Sequence, residues 1–163
     1  MTTKERLMIV DDEPNLLASL RVHLCRNYEV VCETNPLKAL TRLHEGPTFA
    51  TLISDLKMPE MNGVDVLRKA QKLSPNTTRM LLTGYADLSS ALSAVNEGGV
   101  FRILTKPCTP PDVQRAVADA VHFHHDKERE GLPPSEKIRT LSRLSSLGKI
   151  AGRVGHEMAN IAA

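Results

Sequence analysis

Residues 50–63 read ATLISDLKMPEMNG. The first five, ATLIS at 50–54, make a short apolar run of the length expected for a buried strand. Asp55 follows at once, and Pro59 and Asn62-Gly63 then supply turn chemistry that re-aims the chain. Beyond the turn, Val64, Val66, Leu67, Ala70 and Leu73 recur at helical spacing. A strand that ends at a carboxylate and hands over to a helix is one βα unit.

The chain repeats this unit. LMIV at 7–10, EVVCET at 29–34, RMLLT at 79–83 and RILT at 102–105 complete five strand candidates. Helical spacing recurs between them, as in Leu16, Leu17, Leu20 and Leu24. Start signals agree: Pro14 follows an acidic run, Asn35 can cap a helix with Pro36 at its first position, and Asp112 follows TPP before the last helix of this region. Strands alternating with helices predict an α/β fold, a doubly wound five-stranded parallel sheet covered on both faces.

Composition sets the outer bounds. The 163 residues accommodate one ordinary domain and an appendage, with a core that needs no staples. Charge is balanced at 21 Lys+Arg against 19 Asp+Glu, which advertises no nucleic-acid or anionic-membrane partner. The three cysteines, Cys25, Cys32 and Cys108, have no metal-ligand spacing, and the N-terminal apolar run is too short for a signal peptide. A cytoplasmic location without a membrane span is the expectation. Gly131, Pro133 and Pro134 must interrupt any helix, so the expected organisation is a domain over 1–130, a linker at 131–135 and a helix over 136–163.

In an open α/β sheet, ligands collect beyond the C-terminal ends of the strands. Asp11 and Asp12, Asp55, Thr83 and Lys106 all fall there. Converging carboxylates repel one another unless a cation sits among them, and hard oxygen ligands suit Mg²⁺ (magnesium), which takes one or two carboxylates and fills its octahedron with water and phosphate. One carboxylate then remains to form an aspartyl phosphate, with Lys106 and the Thr83 hydroxyl as further donors. Taken alone, Asp11, Asp12 and Glu13 read more readily as acids favoured at a helix N-terminus than as metal ligands.

The segments IVDDE, LISDLKMPEMNG, LLTGYAD and LTKP resemble, in order and spacing, the receiver domain of two-component response regulators over about residues 5–125. The resemblance implies a flavodoxin-like strand order 2-1-3-4-5 with Asp55 as phosphoacceptor. It also implies Asp11, Asp12 and Asp55 around Mg²⁺ with the Lys57 carbonyl as a further ligand, and Thr83 and Lys106 on the phosphoryl oxygens. A cis Lys106-Pro107 bond and a sensor histidine kinase or phosphotransfer protein as phosphodonor follow from it too. One position departs from the pattern: where many receivers carry a switching Tyr or Phe, this chain has Ile103, with Phe101 expected on the same strand face. The histidines 122, 124 and 125 are expected at the solvent end of a helix rather than around a metal.

In the tail, Ile138, Leu141, Leu144, Leu147, Ala151, Val154, Met158 and Ile161 make an apolar stripe that predicts a homodimer through the C-terminal helix. The string LSSLGKIAGRVGHEMAN resembles the H-box of the phosphotransfer helix of sensor histidine kinases. That resemblance implies His156 as the phosphorylated residue, Glu157 assisting transfer and Asn160 orienting a water. No glycine-rich ATP-binding region accompanies it, so the expectation is the front of a longer histidine kinase with an N-terminal receiver. The alternatives are a stand-alone response regulator with a partner-recruiting tail, and a fragment of a transcriptional response regulator.

Overall fold

Branched apolar runs become strands and the amphipathic stretches become helices, in strict alternation. The structure, a computed structural model, describes residues 3–89, 91, 92, 95 and 99–130. The order is β1 (Arg6–Val10), α1 (Pro14–Leu24), β2 (Glu29–Glu33), α2 (Pro36–Glu45), β3 (Thr51–Asp55), α3 (Gly63–Leu73) and β4 (Thr78–Gly84). A 3-10 turn (Tyr85–Asp87) leads into helical residues that include Leu88 and Ala91, and β5 (Arg102–Lys106) and α4 (Pro110–Glu130) complete the unit.

The five strands form one sheet in the order β2-β1-β3-β4-β5, and every pairing is parallel. This is the flavodoxin-like receiver order expected from the resemblance. Side chains alternate across a strand, so neighbouring residues feed different cores. Met8, Leu52, Leu81 and Ile103 pack with Leu40 of α2 and Val66 and Leu67 of α3. Leu7, Ile9, Ile53 and Leu104 pack with Leu17 and Leu20 of α1 and Val113 and Val117 of α4. With β3 buried along its whole length, the polar C-terminal ends of the strands gather at one rim.

Local capping explains the helix starts. The Asn35 side chain accepts from Leu37 N at 2.8 Å and Lys38 N at 3.4 Å, with Pro36 opening α2. Asn62 does the same for α3, accepting from Asp65 N at 2.9 Å.

Three local expectations are corrected. Asp112 lies inside the first turn of α4, because Pro110 and Pro111 need no helical N–H donors there, and the Thr109 hydroxyl accepts from Asp112 N at 3.3 Å. Phe101 does not share the face of Ile103: it precedes β5, where strand alternation no longer applies, and stacks on Phe123 of α4 with ring centroids 5.0 Å apart. Nor is His124 a solvent-end residue, since its ring is buried against the α3–β4 connection with Nδ1 2.7 Å from the Asn76 carbonyl oxygen.

The expected linker 131–135 and helix 136–163, with His156, Glu157, Asn160 and the apolar stripe expected to make a homodimer, lie outside the described residues.

Candidate functional site

The rim holds an acidic cluster built from two strands. Asp11 directly follows β1 and is fully buried, Asp12 next to it is exposed, and Asp55 ends the adjacent strand β3 at 6% exposure. One carboxylate oxygen from each of the three lies within 4.8 Å of the others. The backbone reinforces the arrangement: Asp11 Oδ1 accepts from Glu13 N at 2.8 Å as the chain turns into α1, and Leu56 N donates to Leu82 O at 3.0 Å, carrying the β3–β4 ladder one step past Asp55.

A single ammonium closes on this cluster. Lys106, the last residue of β5, places Nζ 3.0 Å from Asp11 Oδ2 and 2.9 Å from Asp55 Oδ1. The Lys106–Pro107 peptide is cis, as the resemblance implies. Burial pushes the Asp55 carboxyl above the ordinary carboxylate range, the Lys106 hydrogen bond pulls it back, and the Asp11 charge raises it again. Burial works against the charged form of Lys106, but the hydrogen bonds to Asp55 and Asp11 outweigh it, and its pKa ends above the usual lysine value.

Thr83 sits at 1% exposure near the end of β4, and its hydroxyl donates to the Gly84 carbonyl at 3.3 Å. Lys57 turns its side chain along the rim to Asp87, Nζ to Oδ1 being 2.9 Å. Sequence reading missed that ion pair, because no periodicity or motif joins a loop residue after β3 to a turn residue after β4. Beside Lys106, a groove of about 470 Å³ opens between α1 and α4, lined by Leu16, Leu20, His23, Pro107, Cys108 and Val113 among others. Burial raises the Cys108 thiol pKa to about 11, and the thiol donates to the Thr105 carbonyl at 2.9 Å, so it is a protonated structural group at neutral pH.

The donor set fits a hard divalent cation. Three carboxylate oxygens from Asp11, Asp12 and Asp55 converge, one of them exposed to exchange with water, and a single ammonium leaves their charge uncompensated. Among the described residues this is the sole cluster of at least three His, Cys, Asp or Glu side chains with that convergence, and the histidines of α4 form none.

A family model described as "Response regulator receiver domain" matches residues 7–118. The chain belongs to the response regulator receiver domain family. Receiver domains bind Mg²⁺ at an acidic pocket and take part in two-component phosphorelay with histidine kinases or phosphotransfer proteins. Among curated relatives, the chain is similar to the hydrogenase transcriptional regulatory protein HoxA of Bradyrhizobium diazoefficiens, 31% identical over 131 residues, 80% of this chain and 27% of the relative. It is also similar to the response regulator protein PilR of Pseudomonas aeruginosa, 26% identical over 155 residues, 91% of this chain and 34% of the relative. This receiver therefore spans about a quarter to a third of the length of these relatives. A solved CheY-like receiver domain protein from Methanospirillum hungatei JF-1 superposes with a TM-score of 0.71 at 28% identity, over 77% of this chain and 99% of that one. No helix among the described residues is long and apolar enough to cross a membrane.

Proposed function

We propose that this receiver accepts a phosphoryl group from a phosphohistidine onto Asp55. The observation that carries the reading is the contact of Lys106 with both Asp11 and Asp55, which builds a positive clamp and an acidic pocket around one carboxylate. An Asp55 oxygen attacks phosphorus, the P–N bond of the donor breaks, and its electron pair leaves with the imidazole. Lys106 is placed to neutralise phosphoryl oxygens as charge shifts onto them, and the Thr83 hydroxyl can turn from the Gly84 carbonyl toward the same group. Asp11, Asp12 and Asp55, with the Lys57 carbonyl, would hold Mg²⁺, which supplies charge neutralisation for an incoming anionic phosphate.

The groove beside Lys106 supports docking of the donor protein there, since it combines apolar walls from Leu16, Leu20 and Val113 with direct access to the clamp. For the output, the relatives' names favour a transcriptional regulator, and the PilR similarity covers 91% of the chain, more than residues 1–130 contain. That favours reading residues 1–130 as the receiver of a transcriptional response regulator, acting in the cytoplasm. Neither the structure nor the comparisons support the attached histidine kinase, and the H-box reading of His156, Glu157 and Asn160 rests on the sequence resemblance alone.

The decisive experiment is labelling with acetyl phosphate and Mg²⁺. One acid-stable, base-labile phosphoryl group per chain is expected, absent in Asp55→Asn and suppressed by chelator; retention of the label in Asp55→Asn overturns the assignment.

A further inference from the structure

We infer that the groove beside Lys106 is a docking site for this chain's own residues 144–156, which fold back into it and compete there with the donor protein; as regulation of that site, the inference rests on the reading of Asp55 as acceptor. The groove of about 470 Å³ is walled by Leu16 and Leu20 of α1, by Val113 in the first turn of α4, and by Pro107 and Pro110. Gln114 Nε2 donates to the His23 carbonyl at 3.0 Å and holds α4 against the end of α1, so the two walls are fixed. Apolar walls open to water are stabilised by a segment that brings apolar side chains to them.

The length of chain that follows α4 selects the occupant. α4 runs for 21 residues from Pro110 to Glu130, about 30 Å at 1.5 Å per residue, and carries the chain away from the rim that holds Lys106. Residues 136–156 also number 21, so as the helix that their apolar spacing predicts they retrace the same distance. Residues 131–135, with Gly131, Pro133 and Pro134 for the reversal, span up to roughly 17 Å, more than the 8–10 Å between packed helix axes. Run antiparallel to α4, that helix brings Ile150 and Val154 to the level of Ala116 and Asp112, the stretch of α4 that walls the groove. Charge agrees with the placement. Residues 136–156 carry Lys137, Arg139, Arg143, Lys149 and Arg153 against Glu136 alone. The mouth of the groove is acidic, since Glu13 lines it, Asp12 stands exposed beside it, and one Lys106 ammonium leaves the three carboxylates uncompensated.

The test is alkylation of Cys108, which lines the groove, by iodoacetamide in the full chain at one fixed alkaline pH, with the exposed Cys25 as internal reference and mass spectrometry as the readout. Ile150→Asp and Val154→Asp are each expected to speed modification of Cys108 several-fold at an unchanged Cys25 rate. A synthetic peptide of residues 141–157 added in excess should bring the rate in Ile150→Asp back toward that of the wild type. Equal Cys108 rates in the wild type and both variants overturn the inference. Protection in the wild type that disappears on dilution overturns it as well, because a second copy of the chain then supplies the segment. The acceptor assignment fails separately: if Asp55→Asn keeps the acetyl phosphate label while Cys108 stays protected, the docking stands and its bearing on Asp55 falls.

Discussion

Lys106 Nζ lies 2.9 Å from Asp55 Oδ1, tying the end of the edge strand β5 to the end of the central strand β3 across the intervening β4. Because the same ammonium reaches Asp11, removing it leaves two buried carboxylates facing each other. Breaking a buried ion pair costs roughly 3–5 kcal/mol, and the 25% exposure of the Lys106 side chain reduces this to about 2 kcal/mol. Lys106→Met should lower the urea midpoint accordingly at pH 7, with the deficit shrinking in acid as the carboxylates protonate. An unchanged midpoint at neutral pH would show that water already screens the pair.

The raised pKa of Asp55 has a sign that can be checked. Above the ordinary carboxylate range, but below the raised folded value, the folded state holds a proton that the unfolded chain has released. Stability therefore falls as pH rises through that window. Asp55→Asn should flatten this part of the pH–stability curve and raise the neutral-pH melting temperature in chelator. Equal slopes in the two proteins would contradict the desolvated Asp55.

Divalent cation should stabilise the fold by linkage. At tenfold excess over its dissociation constant, a ligand that binds only the folded state adds about 1.4 kcal/mol. Differential scanning fluorimetry should show a rise in Tm with Mg²⁺ that chelator reverses. Asp12 is the exposed member of the cluster, so Asp12→Asn should diminish the rise while changing stability in chelator by less than about 0.5 kcal/mol. A full Mg²⁺ effect in that variant would remove Asp12 from the ligand set.

Gly63 is held by contact rather than by turn geometry alone. A Cβ there would collide with the Asp55 carbonyl oxygen and stand 2.9 Å from Leu81 Cδ1, while Gly63 N donates to the Leu56 carbonyl at 2.7 Å. Gly63→Ala should cost about 1–3 kcal/mol from overpacking. It should also slow acetyl phosphate labelling, because the displaced backbone is that of the acceptor. A stable variant with wild-type labelling would show that α3 can shift without disturbing Asp55.

Much of this molecule is determined locally. The runs LMIV, ATLIS and RILT are strands because short apolar segments between turn signals bury their side chains best in a parallel sheet, and Asn35 and Asn62 start helices through their own side-chain oxygens. Asp11, Asp55 and Lys106 could be picked out because each stands where a strand meets its loop, and the ordered motifs around them carry the family. Other features depended on separate elements being packed against one another. The burial of His124 against Asn76, the stacking of Phe101 on Phe123, the Gly63 backbone pressed against Asp55 and the pairing of Lys57 with Asp87 each join separate elements. Local periodicity says which face of an element is apolar, but not which polar group on a neighbouring element will meet a given side chain. That is decided when helices and strands pack, because contact distance and solvent exclusion are properties of the assembled layers.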